Sequence, residues 1–154
     1  MFLPLVPCLK WQPVSRSFAK KTILDEKDAS PAVLALCLQA LAKFGKLSDV
    51  AAISTLLADK RPASRPLTTT RGTITNQVSD LAIAAIACIY GVELEDVGFT
   101  GVSQDPRFGF QPREIGFPKD APEQRKAAEQ MIKAILDASP PVVPQPGRPP
   151  IGPR

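Results

Sequence analysis

Two short stretches of the chain carry residue types that could support chemistry. Ser17 and Lys20 form an S-x-x-K pair, a spacing at which a lysine can deprotonate a serine nucleophile. No S-D-N or K-T-G sequence follows, so a chance match is the simpler interpretation. Gly45 and Lys46 end a stretch that resembles a phosphate-binding loop, but its first glycine and its magnesium-binding Ser/Thr are missing. We therefore interpret Gly45 as the end of a helix.

The composition excludes much of the remaining catalytic and metal chemistry. The 154 residues include no histidine, so Ser-His and Cys-His pairs, histidine bases and histidine ligands are all absent. The acidic residues within 93–96 lack the alternating ligands and glycine turn of a calcium loop, and a helix cap is their expected role. Cys8, Cys37 and Cys88 are too few and too far apart for a zinc site or a disulfide framework. We expect no catalytic residue, no metal and no cofactor.

The net charge of +4 is unevenly distributed. Residues 1–72 carry 11 basic and 5 acidic side chains, whereas residues 73–105 carry five acids and no Lys or Arg. Because nucleic-acid-binding domains concentrate Lys and Arg on one face, this scattered pattern favours ordinary surface charge over nucleic acid as a partner. A protein partner is expected at the basic connection 60–75 and the Gly/Phe-rich loop 91–118. The candidate partner-binding residues there are Lys60, Arg61, Arg65, Arg71, Phe108 and Phe110.

Apolar periodicity and capping residues predict a helical protein. The second half of the helix that ends at Gly91, L-A-I-A-A-I-A-C-I-Y, is apolar on all faces, which predicts that this helix lies between two neighbours. Capping signals at Ser30-Pro31 and at Asp120 to Glu123 open the first and last helices. The predicted helices span 31–44, 48–59, 76–90 and 121–138, and a shorter helix is expected within 14–24.

These elements divide the chain into an irregular segment 1–29, a helical domain 30–138 and a tail 139–154. Seven prolines among the sixteen tail residues predict a disordered, polyproline-like segment, for which an inert linker is favoured over P-x-x-P docking. The first nine residues, M-F-L-P-L-V-P-C-L, lack the basic start of a signal peptide, and we interpret them as an irregular leader or the start of a piece of a longer chain. No apolar run is long enough to span a bilayer, so a cytoplasmic location is the default.

The predicted helices also show an internal repeat. An aromatic–glycine pair at 44–45 recurs 46 residues later at 90–91, and Asp-Val at 49–50 recurs after 47 residues at 96–97. With its Ala/Leu-rich helices, S-P-A-V-L-A-L-C-L-Q-A-L-A-K-F-G among them, the stretch 30–98 resembles HEAT/armadillo repeats, in particular the end of a larger bacterial HEAT-repeat protein. The resemblance implies an all-α, HEAT-like α-solenoid fragment of antiparallel helix pairs, with negligible strand.

The same resemblance implies a non-catalytic scaffold that binds another protein. Two alternatives stay open. One is a weakly basic, nucleic-acid-associated module that uses the 60–71 loop, for which binding should fall steeply with salt. The other is an enzyme that uses carboxylate or lysine chemistry in the Gly/Phe loop, which would require a deep pocket lined by paired carboxylates.

Overall fold

The computed structural model describes residues 12–70, 72–102, 107 and 109–139, with side chains from residue 16 onward. A 3-10 turn at Leu47–Asp49 precedes α3. In chain order the other elements are α1 (Gln12–Asp25), α2 (Pro31–Phe44), α3 (Val50–Ser54), β1 (Leu67–Thr69), β2 (Gly72–Thr75), α4 (Val78–Tyr90), α5 (Leu94–Val97), β3 (Phe117–Pro118) and α6 (Pro122–Ala138).

Helix α4 is the centre of the hydrophobic core. Every residue from Val78 to Ala87 is buried, and its alanines allow neighbouring helices to approach closely. Helices α2, α3, α5 and α6 all contact it. Gly91 ends the helix with a φ of +69°, a left-handed conformation that glycine adopts without steric cost. The prediction of a helix buried between neighbours is confirmed.

Helices α1 and α2 form a helical hairpin that covers one side of α4. Ala19 and Ile23 of α1 and Leu38 and Leu41 of α2 belong to the buried core. The Ser30 hydroxyl accepts a hydrogen bond from the Val33 amide (3.3 Å), so the predicted cap of α2 is present. The segment 1–29, which was expected to be irregular, contains the 14-residue helix α1. This helix includes the shorter one predicted at 14–24.

The basic connection 60–75, in which no strand was predicted, contains a β-hairpin. Strand β1 pairs with β2 in antiparallel register, Leu67 opposite Ile74, and β2 pairs with β3, which places Ile74 opposite Pro118. The strand order is β1-β2-β3. Threonine supplies four of the seven residues of β1 and β2, and its branched Cβ favours extended backbone.

The prediction of an all-α, HEAT-like α-solenoid is wrong. The described residues include a three-stranded antiparallel sheet, and the helix predicted over 48–59 is only a 3-10 turn followed by five residues of α3. The hydroxyls of Ser54 and Thr55 donate to the carbonyl oxygens of Val50 and Ala52 (2.8 and 2.7 Å), an interaction that competes with helix continuation. Without a full second helix, the antiparallel pair that a solenoid repeats does not form.

The described part of the Gly/Phe loop closes the open end of the core. Phe99, Phe110 and Phe117 are fully buried, and the rings of Phe99 and Phe117 lie 4.8 Å apart. Gly109, with a φ of +79°, lies against α2, where an added Cβ would come within 3.2 Å of the Ala42 Cβ. Aromatic burial thus anchors this loop.

Candidate functional site

The two faces of the sheet have different environments. Phe117 of β3 points into the core, where the guanidinium of Arg125 lies 5.6 Å from its ring centre. Residues paired directly across an antiparallel sheet share a face, so the register aligns Leu67, Ile74 and Pro118 in one row on the opposite face. Leu67 is 41% exposed, a high value for a large apolar side chain. This row lies outside the central core.

A pocket of about 270 Å³ opens over this row. Its apolar wall consists of Leu67, Ile74, Val102 and Pro118. Threonine hydroxyls at positions 69, 70 and 100 add hydrogen-bonding groups to the lining. Its volume suits one long side chain or a small ligand rather than a large cofactor.

Of the described residues that line this pocket, Glu114 is the one that carries a charge. It is exposed, and its carboxylate makes no hydrogen bond or ion pair with the rest of the described chain. Among the described residues, no second carboxylate, which acid–base catalysis by a carboxylate pair would require, lines the pocket. The pocket therefore combines an apolar wall, hydroxyl groups and one negative charge.

Strand β1 borders the pocket and lies at the edge of the sheet. Its residues pair with β2 on one side, and no other strand of the described residues pairs with it on the opposite side. An edge strand is a template on which another extended chain can add as a further strand. The edge and the pocket together form the candidate site.

The structure places the basic candidate residues of the 60–71 loop in different environments. Lys60 forms an ion pair with Glu129 of α6. Arg61 is paired with Asp59 (2.7 Å) and also donates to a backbone carbonyl oxygen. Arg65 is exposed, and Arg71 lies outside the described residues.

Of the two aromatic candidate residues in the Gly/Phe loop, the structure describes only Phe110. Phe110 is fully buried, and its carbonyl oxygen accepts a hydrogen bond from the side-chain amide of Gln39 (2.9 Å). It is a core residue and offers no surface to a partner. Phe108 lies outside the described residues. Phe110 does not line the pocket, and sequence reasoning missed Leu67, Ile74 and Glu114, which do.

Asp80 is a fully buried carboxylate that is bound from two sides. Arg125 donates to both of its oxygens (2.9 and 3.0 Å), and the Gln77 amide donates to Oδ2 (2.9 Å). Burial raises the pKa of Asp80, and the Arg125 guanidinium opposes that rise. The pair joins α4 to α6, and its carboxylate has no solvent exposure, so we assign it a structural role.

Asp49 is the second fully buried carboxylate. Arg16 of α1 donates to both of its oxygens, and the Lys46 amide donates to Oδ2 (2.9 Å). Burial alone would raise the pKa of Asp49, but these hydrogen bonds and the positive charges of Arg16 and Lys20 outweigh burial and hold it below its usual value. Lys20, the lysine of the S-x-x-K pair, lies 3.4 Å from Asp49 Oδ1, so this lysine is part of a structural ion pair.

The lowered pKa of Asp49 predicts a pH-dependent contribution to stability. A carboxyl whose pKa is lower in the folded state stabilises the fold above its unfolded pKa, and that stability is lost as pH falls through the folded value. We expect Asp49→Asn to lower the free energy of unfolding by about 1–3 kcal/mol at pH 7, with a smaller deficit near pH 3. Urea unfolding at both pH values measures this. The exposed Asp137→Asn is the control, and a deficit that does not change with pH would contradict the assignment.

Cysteine and metal chemistry find no support in the described residues. Burial raises the pKa of Cys37 and raises that of Cys88 to about 11, so both thiols stay protonated near neutral pH. No group of three His, Cys, Asp or Glu side chains there is arranged to hold a metal ion. Across the same residues, no helix has both the length and the apolar character needed to cross a membrane.

No protein-family model matches the chain, and neither a curated protein nor a solved structure does. These comparisons leave the family resemblance untested, so it stays a prediction. The candidate function therefore rests on the geometry of the pocket and the strand beside it.

Proposed function

We propose that this domain binds an extended segment of a partner polypeptide and catalyses no reaction of its own. The segment adds to the sheet beside β1, and one of its Lys or Arg side chains enters the pocket. The observation that supports this proposal most directly is the position of a pocket, lined by the Glu114 carboxylate, beside an edge strand. Main-chain pairing supplies affinity in this mode of recognition, and a pocket for an alternate side chain supplies specificity.

The chemistry of the pocket favours a basic side chain as its occupant. Lys and Arg carry an apolar stem that packs on surfaces such as Leu67 and Ile74, while the charged head remains near water. The Glu114 carboxylate then accepts a charge-assisted hydrogen bond from that head. An acidic side chain would instead be repelled by Glu114.

Selection of peptides on the whole protein tests this function. We expect a displayed library of random heptapeptides to yield binders that contain Lys or Arg among β-branched residues. In fluorescence anisotropy, Glu114→Gln should weaken binding of a selected synthetic peptide about fivefold, because about 1 kcal/mol of charge-assisted interaction is lost. A Lys-to-Glu change in that peptide should weaken binding further.

Glu123→Gln, an exposed change in the first turn of α6, is the matched control and should leave the dissociation constant unchanged. The proposal fails if no peptide is enriched. It also fails if selected peptides bind Glu114→Gln and the wild-type protein equally well, since the pocket would then not contribute to recognition.

A further inference from the structure

The hydrogen bonds of the sheet show which main-chain groups of β1 face outward. In an antiparallel pair of strands, opposite residues alternate between pairs that exchange hydrogen bonds and pairs that do not. The Lys119 amide donates to the Thr73 carbonyl oxygen (2.9 Å), so the main chain of Thr73 faces β3. The main chain of Ile74, the next residue, therefore faces β1, where Ile74 and Leu67 form a hydrogen-bonded pair. Pro118, which has no N–H, lies opposite Ile74 on the other side, as this pattern requires.

The same alternation turns the main chain of Thr68 towards the open edge. Thr68 lies opposite Thr73, whose main chain faces the other way, so the N–H and C=O of Thr68 do not bond to β2. Both groups point to the edge, where no strand within the described residues pairs with them. Pro66, directly before β1, has no N–H. Of the three residues of β1, Thr68 is therefore the one that offers a donor and an acceptor to an added strand.

The side chains of β1 alternate between the two faces of the sheet. Leu67 and Thr69 line the pocket, whereas Thr68, between them, does not. A residue that pairs directly with Thr68 shares its face, so the side chain of that residue points away from the pocket. The residues before and after it have their side chains on the pocket face. Main-chain pairing and occupation of the pocket therefore fall on neighbouring residues of a partner segment.

Glu114 lies at the end of the sheet where β1 begins. The Asn76 side-chain amide donates to the Pro112 carbonyl oxygen (3.0 Å). A Cβ added at Gly116 would lie 2.6 Å from the Thr75 carbonyl oxygen. The chain before and after Glu114 therefore lies beside the last residue of β2, and the end of β2 is the part that pairs with the start of β1. This arrangement places the negative charge of the pocket towards the first residue of β1.

We infer that the partner segment runs antiparallel to β1 and pairs one of its residues, the bonding residue, with Thr68; this inference rests on the proposed function. The bonding residue exchanges both main-chain hydrogen bonds with Thr68, so proline cannot occupy its position. The residue directly after it lies opposite Leu67, and this next residue is the Lys or Arg whose side chain enters the pocket towards Glu114. The antiparallel direction continues the pattern of the existing sheet and is the more stable one per residue.

N-methylation of a selected peptide tests this register one amide at a time on the wild-type protein. The Lys or Arg of the pocket is identified first, as the position at which replacement by Glu weakens binding most. We expect an N-methyl group on the residue before it to weaken binding by about tenfold or more in fluorescence anisotropy, because the Thr68 carbonyl oxygen loses its donor. An N-methyl group on the Lys or Arg itself is the matched control. It should change the dissociation constant by less than about twofold, since that amide faces away from β1.

A change at Thr68 tests the same pairing from the side of the protein. Thr68→Pro removes the outward N–H, and edge strands accept proline where the N–H faces solvent. We expect this variant to bind the peptide about tenfold or more weakly. Thr68→Val keeps both the N–H and a branched Cβ, so it is the matched control and should bind as the wild-type protein does. Circular dichroism checks the fold of both variants, and the N-methyl series on the wild-type protein does not depend on either of them.

The inference is overturned if the amide before the Lys or Arg tolerates methylation. Sensitivity at the Lys or Arg amide itself would indicate a parallel strand. Binding that depends on Glu114 but tolerates an N-methyl group at every position would show that the pocket recognises a side chain without strand addition. Failure of the proposed function has a different signature, because no peptide is then enriched or Glu114→Gln binds as well as the wild-type protein, and the inference is overturned with it.

Discussion

Replacing Ala85 with glutamate is expected to lower the free energy of unfolding by about 3–5 kcal/mol. Ala85 is fully buried on α4, the helix that α2, α3, α5 and α6 all contact. Glutamate there overpacks a close helix contact and buries an unpaired carboxylate, and each fault typically costs about 1–3 kcal/mol or more. A small domain has roughly 5–15 kcal/mol of total stability, so the variant should unfold at far lower urea concentration.

Ala134→Glu is the matched control, since Ala134 is an exposed residue within α6. Both changes replace alanine with glutamate inside a helix, and glutamate is a good helix former, so propensity cannot explain a difference between them. Equal and small losses at positions 85 and 134 would contradict the central position of α4.

Replacing Arg125 with methionine is expected to cost about 3–5 kcal/mol. The substitution keeps much of the apolar stem but leaves the Asp80 carboxylate buried without its ionic partner. Removing one partner of a buried ion pair is strongly destabilising, because the other charge stays buried and uncompensated. The loss of the hydrogen bond from Arg125 to the Thr75 carbonyl oxygen also weakens the link between α6 and β2. Urea unfolding at pH 7 measures the combined effect.

The matched control removes an exposed ion pair in the same way. Lys60→Met breaks the contact with Glu129, where both side chains are at least 36% exposed, and exposed pairs contribute about 0–1 kcal/mol. A pH series separates electrostatics from packing. Without Arg125 the pKa of Asp80 should rise further, so the deficit of the variant should shrink as pH falls through that raised value. A deficit that stays constant from pH 7 to pH 4 would show that packing alone causes it.

The candidate site shows how much of a surface can be predicted from one sequence. Part of the pocket does come from the basic, Thr-rich stretch 60–75. The sequence, however, predicted that the charged residues of that stretch bind the partner. Lys60 and Arg61 are engaged in ion pairs, whereas the pocket is built by Leu67, Ile74 and the distant Glu114. Alternation around Ile74 is a weak strand signal, and three or four residues are too few for periodicity to stand out.

Local sequence by itself determined the long helices and the positions at which they end. The Ser30 cap and the stop at Gly91 depend on backbone hydrogen bonds and φ preferences within a few residues, so the local pattern indicates them directly. The apolar run that fills α4 after Asp80 predicts a buried helix in the same way. The absence of histidine likewise narrows the chemistry that the chain can carry out, because it removes the imidazole base and ligand from every part of the sequence.

Only the tertiary structure decided how the short elements are used. Residues 72–75 become the central strand of a sheet because β1 and β3 pair with them, and β3 arrives from more than 40 residues further along the chain. Asp80 acquires its role from Arg125, 45 residues away, and Asp49 from Arg16, 33 residues away. Such pairings arise from distant segments that the core brings together, and local propensity carries no information about them. The inferred solenoid failed partly for this reason, because a helical period describes one helix and does not specify its neighbours, and partly because the second helix of the predicted pair is only five residues long.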